Sequence, residues 1–343
     1  MKYFDNNKSV GFKWASGALV ATFAFLGAQG ASAADLTIRM AWYMPPNTAV
    51  ADQGQEIANK IESMSHGKIA VQTFPSGSLL KESNIGQGVA NNTANMVISG
   101  MHWWSNQAPA LQWDTIPFLV DDASKLLNKL HGPLGQDVNK QLNRFGAQVI
   151  GWSFYGYALS YINNKHPIKV PSDLKGLKLR SEGKLSAQFL KSEGATPVAM
   201  DSSEVYTAMQ RGTLDGGVSG LSSIVSRKWY EVGKYVTAIH YAPLVYPVQV
   251  NRQWWMSLKP GQRATIKKAV ASTENDAVAA IEKEFNNDIA LMKKNGNEVY
   301  RPTDAQLKTW QQATEAQARR NYLKDAGAKG KKILHDVDAP VSQ

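Results

Sequence analysis

PSDLKGLKLR at residues 171–180, followed by EVYTAMQRGTLDG at residues 204–216, is the stretch on which the architecture turns. Leu177-Lys178-Leu179-Arg180 alternates apolar and basic side chains and reads as a short strand ending on an arginine. About 24 residues later, Glu204 to Arg211 has the spacing of an amphipathic helix, and a short apolar step then runs into Asp215-Gly216. An arginine at the C-terminal edge of a strand suits the planar, two-pronged grip of a carboxylate. Ligand sites of open α/β sheets lie at such strand ends. Residue type alone leaves a second reading open, a surface arginine paired with a nearby acid such as Glu182.

Outward from this stretch the chain alternates strand and helix. Leu36 to Trp42 is predicted as a strand running into the turn Tyr43–Asn47, and a helix follows with Val50, Ile57 and Ile61 on one face. A strand over Lys68–Phe74, a helix over Leu79–Val89, a strand over Ala94–Ser99 and a helix over Ser124–Asn143 complete a first unit. Gln148–Trp152 and Ala158–Ile162 lead out of it as strands. The second unit reads as strand 177–180, helix 184–193, strand 195–199, helix 203–211 and strand 214–218. Tyr235–His240 and Tyr246–Asn251 return toward the first unit as strands. The pattern is that of parallel α/β sheets with ligand-facing loops at Tyr43–Asn47, Phe74–Ser78 and Ser99–Ser105. Two crossings between units make a hinge facing one cleft. The expected domains are therefore 34–155 with 250–300, and 156–249. A helical pattern from Pro260 to Lys294 reads as one brace across both domains or as a kinked pair, and further helices fill 301–343.

Residues 1–33 carry Lys2, Lys8 and Lys13, an apolar run from Trp14 to Gly27, and Ala31-Ser32-Ala33 at the cleavage positions, which predicts a removable signal peptide. Its loss removes three lysines and one aspartate and takes the formal charge from +10 to +8. The absence of cysteine excludes disulfides, thiolate metal sites and a lipid-anchoring cysteine. Basic residues are interleaved with acids, as in Lys259, Arg263, Lys267 and Lys268 before Glu274, Asp276, Glu282 and Glu284, so no nucleic-acid stripe is visible. The histidines His66, His102, His131, His166, His240 and His335 show no metal-ligand spacing. Gly217-Val218-Ser219-Gly220 lacks the spacing of a nucleophile elbow. We expect no enzyme, no cofactor and no metal.

From Leu36 to about Tyr322 the chain resembles the periplasmic solute-binding proteins of tripartite ATP-independent periplasmic (TRAP) transporters. The resemblance rests on Pro167-Ile168 with residues 171–180, on residues 204–216, and on Phe74-Pro75-Ser76-Gly77-Ser78-Leu79, Ile116-Pro117-Phe118-Leu119 and Tyr230-Glu231-Val232-Gly233-Lys234-Tyr235. It implies an α/β, two-domain periplasmic-binding-protein fold with a central ligand cleft, hinge strands and a long helix bracing both domains. It also implies that Arg180 forms the main salt bridge to a ligand carboxylate. Ser219 stands where many members carry an asparagine, and Val218 where many carry a glutamate or glutamine. Phe154-Tyr155-Gly156-Tyr157 has no arginine where a second one is common.

These departures argue against a dicarboxylate held by two arginines. With Tyr43, Trp103, Trp104, Tyr155 and Tyr157 as candidate aromatic walls, and Ser202 and Ser219 as polar contacts, the expected ligand is a monocarboxylate with an aromatic or hydrophobic body. The implied role is capture by domain closure and delivery to membrane permease subunits driven by an ion gradient. The implied setting is the periplasm of a Gram-negative bacterium, with the protein a soluble monomer. A ligand-reporting sensor subunit needs the same cleft, and the chain alone does not separate the two.

Overall fold

The computed structural model describes residues 34–120, 122–157, 160–240 and 243–340, so the expected signal peptide lies outside the described residues. The strands in chain order are β1 (Leu36–Trp42), β2 (Ile69–Phe74), β3 (Met96–Ile98), β4 (Ala147–Tyr157), β5 (Ser160–Asn163), β6 (Lys178–Ser181), β7 (Thr196–Ala199), β8 (Gly216–Ser219), β9 (Tyr235–Thr237), β10 (Pro243–Asn251) and β11 (Glu298–Tyr300). The helices are α1 (Ala49–Met64), α2 (Ile85–Ala90), α3 (Ala123–Leu130), α4 (Pro133–Asn143), α5 (Lys184–Ser192), α6 (Val205–Gln210), α7 (Leu221–Ser226), α8 (Arg252–Ser257), α9 (Pro260–Ala271), α10 (Glu274–Lys294) and α11 (Asp304–Asp338).

Among the described residues the strands form two sheets, ordered β2-β1-β3-β10-β4 and β11-β9-β5-β8-β6-β7. With their helices they make a first and a second lobe. The alternating pattern predicts parallel sheets, yet each contains an opposed strand. β10 runs antiparallel to β3 and β4, and β5 antiparallel to β8 and β9. The crossings explain this. The chain leaves β4 at the C-terminal edge of the first sheet and enters the second at the facing edge, so β5 must run away from that edge. β9 returns to the edge and β10 runs away from it in the first sheet. The C-terminal ends of β1, β3, β4, β6, β7 and β8 are thereby turned toward one another.

The stretch around residues 171–216 is largely structural. Leu174, Leu177 and Leu179 are core residues. The Asp173 carboxylate accepts from the Lys169 and Val170 backbone N–H groups at 2.8 and 3.0 Å and fixes the turn before β6. Asp215 accepts from the Lys178 N–H at 2.8 Å and ties the start of β6 to β8. Gly216 is needed where β8 passes β5, because a Cβ there would lie 1.9 Å from the Ile162 carbonyl oxygen.

Three expected helices differ in extent. The Leu79–Val89 helix is reduced to a 3-10 turn, Glu82–Asn84, leading into α2, because Leu80 folds back over Gly88 and Glu82 turns inward. The Ser124–Asn143 helix is divided into α3 and α4 by Gly132 and Pro133, with the proline at the first turn of α4. The Pro260–Lys294 pattern is a pair: the Ser272 and Thr273 hydroxyls turn back to the Ala269 and Val270 carbonyls, each at 2.8 Å, and end α9. The bracing role falls to α10 alone, which packs on β4 and α1 of the first lobe and on α7 and β11 of the second. α11 crosses as well. Its Trp310 stacks on Tyr161 of the second lobe at 5.4 Å, and its Tyr322 hydroxyl donates to the Ala110 carbonyl of the first at 2.8 Å. The break at Gly327 (φ 58°) turns its last part onto α4.

Candidate ligand site between the lobes

Arg180, the third residue of β6, is wholly buried at the meeting of the two lobes. Its Nε donates to the Met200 carbonyl at 3.1 Å, and its Nη1 to the Val218 carbonyl at 3.1 Å and to Glu182 Oε1 at 3.2 Å. Its Nη2 donates to Glu82 Oε1 at 2.9 Å. The Trp229 ring, 5.9 Å from the guanidinium carbon, covers it from the second lobe. Arg180 is thus no surface decoration. It pairs with Glu182, as the alternative reading allowed, and with Glu82 from the opposite lobe, which sequence reasoning did not single out.

The two carboxylates differ. Glu82 is the firmer: its second oxygen accepts from the Ser202 backbone N–H at 2.8 Å and from the Ser202 hydroxyl at 2.5 Å. Burial pushes its carboxyl up, but the Arg180 guanidinium and the Ser202 bonds outweigh this and hold it below the usual carboxylate range. For Glu182 burial wins: its carboxyl stays raised although Arg180 and a bond from the Ser219 hydroxyl pull it down, and the charge of Glu82 adds to the rise.

An inner pocket lies beside this cluster, between Tyr43, Tyr155 and Tyr246 on one side and Ser202, Ser219, Ser223, Ser226 and Arg227 on the other. The Tyr43 hydroxyl donates to that of Tyr246 at 2.7 Å and accepts from Trp103 Nε1 at 3.2 Å. Tyr155 stacks on Tyr246 with centroids 4.9 Å apart, and its hydroxyl lies 3.5 Å from Ser219 Oγ. Arg227 crosses the lobes through an Nη2 bond to the Tyr43 carbonyl at 2.8 Å. With a cavity volume of about 10 Å³, the pocket has room for roughly one water, so the lobes are closed on each other. Outside it, Trp103 and Ser83 of the first lobe face Glu182, Gly183, Asp201 and Glu204 of the second across a mouth of about 330 Å³.

Three residues that line the inner pocket each carry a buried polar atom with no hydrogen-bond partner among the described residues: His102 (Nδ1), Ser226 (Oγ) and Arg227 (Nε). Burial lowers the His102 pKa to about 4, so its ring is neutral at neutral pH. Arg227 is the second arginine. β4 carries none, as the sequence shows, but the residue after α7 supplies one to the same cavity.

The structure brings Ser202, Ser219, Tyr43 and Tyr155 to the inner pocket and Trp103 to its mouth, while Arg180 lies behind the pocket wall, paired with the lining residues Glu82 and Glu182. Two of the expected residues stand elsewhere. Trp104 is a core residue, its ring against Gly86 and its Nε1 donating to Gln249 at 2.9 Å, because the 3-10 turn Met101–Trp104 rotates successive side chains by about 120°. Tyr157, two residues past Tyr155 but beyond the pocket, packs on His240 and Phe285 at the strand crossing, with centroids 3.5 and 5.6 Å away.

Residues 40–325 match the bacterial extracellular solute-binding proteins, family 7 (DctP). The 2,3-diketo-L-gulonate-binding periplasmic protein of Escherichia coli is 27% identical over 279 residues, 81% of this chain and 84% of that protein. A C4-dicarboxylate-binding periplasmic protein of Shewanella loihica is 28% identical over 275 residues, 79% of this chain and 78% of that one. Among solved structures, a sugar acid binding protein from Advenella mimigardefordensis in complex with galactonate superposes with a TM-score of 0.81 at 20% identity, over 88% of this chain and 97% of that one. A TRAP periplasmic solute binding protein from Desulfovibrio salexigens with bound orotic acid gives 0.82 at 24% identity, with the same coverage. The family match makes the chain a solute-binding receptor rather than an enzyme, and the solved structures share its fold. The chain belongs to the DctP family, the extracytoplasmic solute-binding proteins of TRAP transporters. No helix among its described residues is long and apolar enough to cross a membrane.

Proposed function

We propose that this protein captures an organic monocarboxylate by closing its lobes, 34–155 with 250–300 against 156–249, on Arg180. It then delivers the ligand, as a periplasmic monomer freed of residues 1–33, to the membrane permease subunits of a TRAP transporter. The observation that carries the reading is the charge around the inner pocket. Arg180 and Arg227 bring two positive charges, Glu82 holds one negative charge on Arg180 at 2.9 Å, and Glu182 makes only the longer 3.2 Å contact, the place one ligand carboxylate would take. One ligand charge balances this set; a dianion leaves a buried charge uncompensated, which costs several kcal/mol. Arg227 therefore does not restore the dicarboxylate reading, since Glu82 offsets it.

The lining modifies the expected ligand body. Tyr43, Tyr155 and Tyr246 give ring walls, but between them stand Ser223, Ser226, His102 and Arg227, three of them with unpartnered buried atoms. Hydroxyl groups on the ligand would satisfy these, whereas a hydrophobic body would leave them unpaired at about 1–3 kcal/mol each. We therefore favour a hydroxylated monocarboxylate over the aromatic or hydrophobic one. The relatives named for 2,3-diketo-L-gulonate and galactonate are in keeping with this. A thermal-shift and calorimetric panel of galactonate, galacturonate, pyroglutamate, orotate, benzoate and succinate tests it. Sugar monocarboxylates should give the largest shifts. Succinate ranked first would overturn the monocarboxylate reading, and benzoate ranked first the hydroxylated body.

A further inference from the structure

We propose that Glu182 is an exchangeable occupant of Arg180: its carboxylate holds Nη1 until the carboxylate of the ligand replaces it, while Glu82 stays on Nη2 as the fixed counter-ion. The inference rests on the reading of Arg180 as the anion holder and adds which resident group yields to the ligand. Four of the five guanidinium N–H groups are already engaged, by Met200, Val218, Glu182 and Glu82. A two-pronged carboxylate therefore cannot be seated without displacing an acceptor.

The acceptors are unequal. The Met200 and Val218 carbonyls belong to the backbone beside β7 and within β8 and cannot leave without unravelling the sheet. Glu82 is held at three points, all within 2.9 Å, with its side chain 8% exposed. Glu182 makes the longest bond of the set, 3.2 Å, to a nitrogen already shared with Val218, and its side chain is 14% exposed. It lies one residue beyond β6 and next to Gly183, so its side chain can swing without moving the strand that carries Arg180.

Glu182 also stands where three spaces meet. It borders the inner pocket, the outer mouth, and a side cavity of about 20 Å³ lined by His102, Gln112 and Lys184. The side cavity gives the displaced carboxylate a donor in Gln112, with Lys184, now paired with Asp325 at 2.8 Å, beside it. Exchange of one carboxylate for another leaves the charge on Arg180 unchanged, which limits admission to one carboxylate at a time. Glu182 is on this account a specificity-determining residue, keeping Arg180 closed to weak, featureless anions.

Acetate, the anionic group without a body, is the probe. Glu182→Ala should bind acetate about ten-fold or more tighter than the wild type, seen as a saturable rise in Tm over equal potassium chloride. Glu182→Gln, which keeps the side-chain volume, should show a smaller rise and serves if the alanine variant folds poorly. Equal acetate response in wild type and both variants would overturn the exchange, as would a gain confined to Glu82→Ala. In Glu182→Ala/Arg180→Met the response should vanish. If it persists there, Arg180 is not the anion holder and the parent reading falls with it. If wild type binds a sugar acid in an Arg180-dependent way but acetate fails to separate it from Glu182→Ala, only the exchange is lost.

Discussion

The contact between Glu82 and Arg180 spans the two lobes, so a double-mutant cycle on it measures whether the closed arrangement is held in solution. Arg180→Met keeps the buried stem and removes the fork. Glu82 then retains only its Ser202 bonds, Glu182 only its Ser219 bond, and the Met200 and Val218 carbonyls each lose a donor. Breaking a buried pair from one side costs about 3–5 kcal/mol, and each orphaned carbonyl about 1 kcal/mol more. Glu82→Gln cannot accept from both Ser202 and Arg180 with its single oxygen, which we place at about 2–4 kcal/mol. In the double variant the ion pair is gone and the amide oxygen at position 82 is free to keep Ser202, so the loss should fall short of the sum by about 2 kcal/mol or more. Urea unfolding followed by tryptophan fluorescence reads all four corners. Additivity within about 0.5 kcal/mol would refute the argument, because it would mean that these side chains, and hence the lobes, do not meet in the ligand-free protein.

Two further outcomes follow from groups outside the pocket. Burial, with the nearby charge of Asp288, raises the Glu284 carboxyl to about 8, although the Ala49 N–H donates to it at 3.0 Å; burial raises Asp288 itself to about 7. The folded chain thus holds protons that the unfolded chain releases above about pH 4, so their contribution to stability is complete at low pH and is lost as pH rises toward 8. Glu284→Gln, which keeps an acceptor for Ala49, should flatten this decline by a few kcal/mol between about pH 5 and 8.5 in urea unfolding; an unchanged slope would count against a buried neutral carboxyl. Trp104→Phe should cost about 1–3 kcal/mol of stability through its lost bond to Gln249, with ligand affinity unchanged by calorimetry; a ten-fold affinity loss would return Trp104 to the site.

Much of the scaffold was legible because its signals are local. The alternation in Leu36–Trp42 marks β1 to the residue, and Leu177–Arg180 misses β6 by one. Gly132-Pro133 carries a stop signal that the expected Ser124–Asn143 helix ran through, and it splits α3 from α4. The break at Ser272-Thr273 was less legible, since the apolar spacing continues through it and only the hydroxyls turning back on α9 end the helix. Glu82 was illegible for a different reason. It sits in what reads as an amphipathic helix, 98 residues from Arg180, and no local pattern marks an acid whose partner lies in the other lobe. The lack of an arginine on β4 is plain in the sequence, but the cavity draws one from beyond α7, and only three-dimensional closure brings it there.

The opposed strands show why proximity to a strand end sorts these residues better than residue type. Because β5 and β10 each run away from the facing edge, that edge is built from the C-terminal ends of the remaining central strands. A side chain just past such an end faces the cleft: Tyr43 after β1, Glu182 after β6, Ser202 after β7. Side chains a few residues farther on are free to turn into the core, as Trp104 does while Trp103 stays at the mouth. The aromatic count of a segment therefore says little about what wets the ligand. On the proposed exchange, what decides the ligand is the charge at the edge, where Arg180 is not one cation awaiting an anion but the centre of a filled set. Glu82 then fixes the lobes and Glu182 yields, and selection follows from what can replace Glu182.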